Sequence, residues 1–349
     1  MSTALGTIGL PEIMAAAIVA ALNLYVLMGG ADFGGGVWDL VARGPRGEQQ
    51  RELIARSIGP IWEANHVWLV LAVVLCFTAF PPAYAILGTV LNIPLALLLI
   101  GIVLRGSAFV FRSYGGGSSS QRRRWGRAFA IASTMAPVLL GVTIGAISTG
   151  AVGVAATETG SRPFLAVYVA PWLAPFPLAI GVLALALFAM LAAVYLTLET
   201  ADAALQDDFR RRALFAAAAV FVSAFAALAL APTGAPMMGT GLMASGWSIP
   251  FHAATAVAAV AAIWALWTRR YRLARLSAAA QVSLILWGWA ISQFPYVVPP
   301  TLTVRSAAAP HITLELLTGA LVAGGLVLIP SLVYLRRTFA ARPRDDARG

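Results

Sequence analysis

Ionisable side chains inside an apolar helix cost about 2.5–3.5 kcal/mol each on insertion scales, so such positions are where function is sought first. The chain holds 14 acidic residues. Three fall within or at the edge of strongly apolar runs: Asp32, Glu63 and Glu315. Glu63 stands in "GPIWEANHVWLVL" (Gly59–Leu71). On a helix, Glu63 and His66 are three residues apart and share a face, as do Trp62 and His66 at four apart, with Asn65 on the same turn. A carboxylate, an amide, an imidazole and two indole N–H groups then lie within one or two turns. That concentration suits a proton relay or a polar contact between helices.

Asp32 stands in "GGADFGGGVWDL" (Gly29–Leu40). Gly30 and Gly34 form a small-xxx-small pair, and Ala31 and Gly35 form another, so neighbouring helices can approach closely. Gly29, Gly35 and Gly36 fall beside Asp32 at three or four residues, leaving room for water. Gly30, Gly34, Gly35 and Gly36 are the expected packing positions. The plainer alternative is a glycine-rich helix end whose Asp32 faces the aqueous phase.

The remaining polar residues read as less informative. Asp39, Glu48, Glu52, Asp202, Asp207, Asp208, Asp345 and Asp346 lie among arginines and read as solvated surface charge. Glu12 and Glu158 fall at or beyond the outer ends of apolar runs. Glu199 ends one such run and reads as an ion-pair partner of the Arg210 cluster. Glu315, four residues after His311, is placed to pair with it or to face water. Only three histidines are present, His66, His252 and His311, and no two are expected deep in one bundle, as a bis-histidine haem would require. The lone Cys76 allows no internal disulfide. Met237, Met238 and Met243 have the soft sulfur for Cu(I), but the Gly- and Met-rich stretch from Ala231 to Trp247 reads as a loop on a membrane surface. No metal site is expected.

These residues must be positioned by membrane helices. The chain has 349 residues, is 60% hydrophobic and only 11% charged, far outside the range of a soluble domain. A helix needs about 20 apolar residues to cross a bilayer. Nine segments qualify: residues 11–31, 58–80, 83–104, 127–150, 164–198, 213–231, 250–268, 279–298 and 312–335. The fifth is long enough for its first part to lie along the interface. The first run has no basic flank or cleavage site and reads as a retained span. All basic residues are arginine, and all but Arg162 and Arg305 fall in alternate loops or the C-terminal tail. The positive-inside rule places the N-terminus outside and the C-terminus in the cytoplasm. The same clustering argues against nucleic acid as the reason for the net charge of +10. Ser113–Trp125 reads as a flexible cytoplasmic linker. The expected fold is an all-α polytopic membrane protein, a single membrane domain over 1–349. It comprises a first bundle (11–150), a second (164–298), a final helix (312–335) and a cytoplasmic tail (336–349).

Three blocks resemble subunit II of the cytochrome bd terminal oxidases: "GADFGGGVWDL", "SIGPIWEANHVWLVL", and "SQFPYVVPPTLTV" followed by "HITLELL". The resemblance implies two four-helix bundles plus a peripheral helix, in a heterodimer with a related subunit I that carries haems b and d and the quinol site. A small additional subunit and a structural quinone in this subunit are further implications. The complex would sit in a bacterial inner membrane, oxidise quinol, reduce O2 to water and draw the protons from the cytoplasm. Asp32 and Glu63 match the family's acids in spans 1 and 2 and are implied to pass those protons, with Asn65 and His66 as further members. Ala31 and Phe33 depart from the family's usual order around that Asp. Two other readings stand beside this one. A proton-coupled secondary transporter would show an inverted repeat and helices broken at the midplane. A cytochrome in its own right would bind haem in this chain.

Overall fold

The computed structural model describes residues 8–58, 64–115 and 118–340. Its helices are α1 (Leu10–Val41), α2 (Gly47–Ile58), α3 (Ala64–Ala79), α4 (Pro81–Val90), α5 (Asn92–Tyr114), α6 (Ser119–Thr149) and α7 (Ala151–Thr157). They continue with α8 (Phe164–Tyr168), α9 (Pro175–Leu196), α10 (Ala203–Gly234), α11 (Pro236–Ala244), α12 (Ser248–Trp267), α13 (Tyr271–Gln293) and α14 (His311–Ala340). A short antiparallel hairpin, β1 (Tyr296–Val298) and β2 (Leu302–Thr303), joins α13 to α14. Among the described residues, eight helices are long and apolar enough to cross a membrane, or nine if one bent pair counts as a span.

That bent pair corrects the expected third span. The segments Asn65–Ala79 and Pro81–Val90 meet at 117°. Pro81 and Pro82 follow Phe80, and a proline both lacks a donor and bars its predecessor from the helical region. Phe80 accordingly sits at φ −133°, ψ 59°. The crossing helix is therefore α5, which begins at Asn92 and runs past residue 104 to Tyr114. The first span is likewise longer than expected. It continues through the glycines to Val41, so Asp32 lies inside a helix and not at its end.

Two loops expected between spans are largely helical. Between Tyr114 and Ser119 only a few residues separate α5 from α6, and Ser118 caps α6 by accepting from the Gln121 amide at 3.4 Å. The stretch after Ala231 continues α10 to Gly234 and then forms α11, with Met238 buried and Met237 and Met243 exposed. The fifth apolar run divides: α8 is a separate short helix, and the crossing segment is α9.

Helix α9 is apolar all round, as expected of a helix surrounded by others. Its residues Ala186–Val194 are all buried. It packs against α1, α6, α10 and α13. Small residues set these approaches. A Cβ at Gly34 would run into the Phe188 carbonyl oxygen, and one at Gly30 would lie 2.6 Å from the Leu191 side chain. On α6, a Cβ at Gly141 would lie 2.6 Å from the Ile180 carbonyl oxygen.

Ion pairs identify the two ends of the bundle. Arg46 bonds Asp208 through two N–H groups at 2.6 and 2.7 Å, and Asp207 meets Arg210, Arg211 and Arg269. This is the arginine-rich end. At the opposite end Arg305 bonds Glu12 at 2.6 Å, and Arg162 pairs with Glu158. The hairpin packs at that opposite end, where Val298 and Val304 share an apolar cluster with Met14 and Phe80.

Candidate functional site

The site begins with α1. Its glycines let α6 and α9 close around it, and this leaves Asp32 almost fully buried, at 2% exposure. A carboxylate there needs a partner. Arg105 of α5 supplies it, forming an ion pair in which Arg105 is itself 1% exposed. The Arg105 Nε donates to the Ser133 hydroxyl of α6 at 3.1 Å. The Asn65 amide of α3 donates to the second Asp32 oxygen at 3.0 Å. Four helices thus meet around the Asp32–Arg105 pair. The Asn65 carbonyl oxygen is buried with no hydrogen-bond partner among the described residues, which leaves an acceptor in the cluster.

Aromatic rings enclose the pair. The Arg105 guanidinium lies 4.6 Å from the Phe33 ring centroid and 5.3 Å from that of Phe129, within cation–π range. His66 packs beside Phe33 and Tyr25, with ring centroids 6.4 and 6.2 Å away. Gly36 sits against Ser133: a Cβ there would collide with the Ser133 side chain, the group that Arg105 contacts.

A second pair repeats the first toward the arginine-rich end. Arg112 donates to Asp39 at 2.9 Å. Both pairs join residues 73 apart. Seven residues on each helix, two turns or roughly 10 Å of rise, therefore separate them. This requires α1 and α5 to run in the same direction. Asp39 was expected to be solvated and is instead buried, because α1 continues past the glycines. Asp208 also departs from a free surface charge, since it accepts from Arg46 and from Gln50 at 2.8 Å. That hydrogen bond and the Asp208 charge hold the exposed Arg46 guanidinium above its ordinary pKa.

Of the sequence candidates, the structure brings Asp32, Asn65 and His66 together with the packing glycines. Glu63 lies outside the described residues. Sequence reasoning missed Arg105, which it had counted among loop arginines. The available signal was a lone arginine within the apolar run "LALLLIGIVLRGSAFVF", seven residues before Arg112 just as Asp32 precedes Asp39. Glu315 pairs with His311 at 3.3 Å on the exposed start of α14. His252 is also exposed, and its Nδ1 lies 2.7 Å from the Ser248 carbonyl oxygen. No two histidines are buried in one bundle, so the three do not fit a bis-histidine haem. Among the described residues no cluster of three or more His, Cys, Asp or Glu could hold a metal ion.

The model of the family described as cytochrome bd terminal oxidase subunit II matches residues 10–339. The chain belongs to that family. It is 35% identical over 96 residues to the cytochrome bd ubiquinol oxidase subunit 2 of Bacillus subtilis, covering 27% of this chain and 28% of that protein. It is 30% identical over 105 residues to the cytochrome bd-I ubiquinol oxidase subunit 2 of Escherichia coli K12, covering 30% of this chain and 27% of that one. These matches span little more than a quarter of either relative. A chain of the bd oxidase of Geobacillus thermodenitrificans superposes with a TM-score of 0.78 at 23% identity, covering 95% of this chain and 98% of that chain. The two chains therefore share a fold.

Proposed function

We propose that this chain is subunit II of a quinol oxidase complex that reduces O2 to water in a bacterial inner membrane. In this reading the catalytic centre, with haems b and d and the quinol site, belongs to a partner subunit I. The present chain binds no haem, holds that partner in place and passes protons from the cytoplasm. Its N-terminus lies outside, and the arginine-rich end and C-terminus face the cytoplasm.

The observation that carries the proton role is the cluster of Asp32, Arg105 and Asn65, buried within the bundle. Arg105 is always charged, so it sets the field without carrying a proton itself. Each Asp32 oxygen accepts one bond, and a carboxylate has about four acceptor sites, so the group can still receive a proton. Glu63, one turn or less from Asn65 and His66 in sequence, is the companion carrier. The structural quinone implied by the family resemblance would find room in an open cleft of about 520 Å³ at the opposite end, beside Phe176, Pro177 and Leu230. A small additional subunit would complete the complex.

A proton-coupled transporter is less well supported. Transporters break helices at their ion sites. Here the break between α3 and α4 packs with Met14 and Val304, at the end away from the ion-pair ladder. Affinity purification of the native chain tests the proposal. The expected result is a co-purifying haem protein with a bd-type absorption spectrum and quinol-dependent O2 consumption. A chain that purifies without any haem-bearing partner would refute it.

A further inference from the structure

A small cavity of about 60 Å³ opens on the side of Asp32 toward α9 and α13. It is lined by Ala31, Asp32 and Gly35 of α1, by Tyr195 of α9, by Glu199 just beyond the end of α9, and by Arg275 of α13. One water needs roughly 10–15 Å³ of such volume and two or more polar partners, so the space has room for about four waters. Two carboxylates line it, the buried Asp32 and Glu199.

The position of Glu199 is held by its surroundings. It lies in the connection between α9 and α10, at the arginine-rich end. Its backbone amide donates to the Leu196 carbonyl at 3.2 Å. The Gln206 amide donates to the carbonyls on either side, Thr197 at 3.2 Å and Thr200 at 2.8 Å. Arg275 lies 4.8 Å over the Tyr195 ring and brings a positive charge to the same wall. Gly35 of α1 lines the cavity with backbone alone.

We infer that Glu199 is a proton-intake residue for the Asp32 cluster, acting through water in this cavity. The inference rests on the proton-path reading above and adds a route to it. Glu199 binds one proton from the aqueous phase and releases it to the nearest water. Successive waters each accept and donate one proton, and the last donates to an Asp32 oxygen. No electrons move, and Glu199 returns to its ionised form.

The test uses the intact complex, with haem content measured for every variant. Glu199→Gln should lower O2 consumption by about tenfold or more, and Glu199→Asp should restore most of it. Ala31→Leu, which fills the cavity without touching a charge, should slow turnover comparably. Glu52→Gln, an exposed acid on α2 outside the cavity, should not change it. If Glu199→Gln and Ala31→Leu both run at the wild-type rate while Asp32→Asn is slow, the cavity is a dry packing space and the inference fails with the proton-path reading intact. If Asp32→Asn also runs at the wild-type rate, both fail together. Should Glu199→Gln lose its haem, the Ala31→Leu rate alone decides.

Discussion

Arg105 and Asp32 form an ion pair with both side chains out of contact with solvent, at 1% and 2% exposure. Each would be an uncompensated charge without the other, and removing one partner of such a pair costs about 3–5 kcal/mol. Arg105→Met should therefore lower the thermal midpoint of the purified complex markedly. The double variant Arg105→Met, Asp32→Leu should recover part of that loss, because both charges are gone. Thermal melting followed by haem absorbance reads both.

The outer rung of the ladder should matter less. Arg112 and Asp39 are joined at 2.9 Å, but Arg112 is 20% exposed. Water there compensates part of a lost partner, so Arg112→Met should cost less than half of what Arg105→Met does. Equal losses at the two positions would show that depth in the bundle is not what sets their worth.

The glycines of α1 make a separate prediction. A Cβ at Gly34 collides with backbone, the Phe188 carbonyl, which cannot swing aside. Gly34→Ala should therefore push α1 from α9 and cost about 1–3 kcal/mol. Gly88 in α4 has open space where its Cβ would lie. Gly88→Ala should be neutral or stabilise by up to about 1 kcal/mol through helix propensity. Melting of the two variants side by side checks the contrast.

Much of this arrangement was legible in the sequence, and the failures have distinct physical causes. The small-xxx-small spacing around Gly30 and Gly34 reads as close helix contact, and Asp32 stands out by cost alone. Arg105 did not stand out, because a span drawn from 83 to 104 put it one residue outside the membrane. The Pro81–Pro82 pair was the physical signal that the chain turns there and that the crossing helix starts later. Asp39 was missed for the complementary reason. Glycines are poor helix formers, so their run read as a helix end, whereas packing against α6 and α9 carries the helix through them. Partners from distant helices, such as Ser133 for Arg105, have no local signature at all.

Topology can be tested with the single native cysteine removed. In a Cys76→Ser background, Ser118→Cys at the arginine-rich end should react with a membrane-impermeant maleimide only in inside-out vesicles. Thr159→Cys at the opposite end should react only in right-side-out cells. The reverse pattern would invert the orientation and place the Asp32 cluster on the wrong side for cytoplasmic protons.

Glu63→Gln should slow O2 consumption while haem content persists, since the amide keeps the shape and loses the proton. Stopped-flow oxygen consumption at saturating quinol separates this from a binding defect: the maximal rate should fall and the quinol concentration for half-maximal rate should hold.

The most direct test of the account is the turnover of the complex carrying Asp32→Asn, measured as O2 consumption per haem. The amide oxygen still accepts from Arg105, and the amide N–H can donate to the Asn65 side-chain oxygen once that side chain turns over. Losing the counter-charge costs stability, but these bonds should let the complex assemble while proton transfer is lost. The account predicts a fall of about tenfold or more at unchanged haem content. A fully assembled Asp32→Asn complex that consumes O2 at the wild-type rate would contradict it and leave the buried cluster with a structural role only.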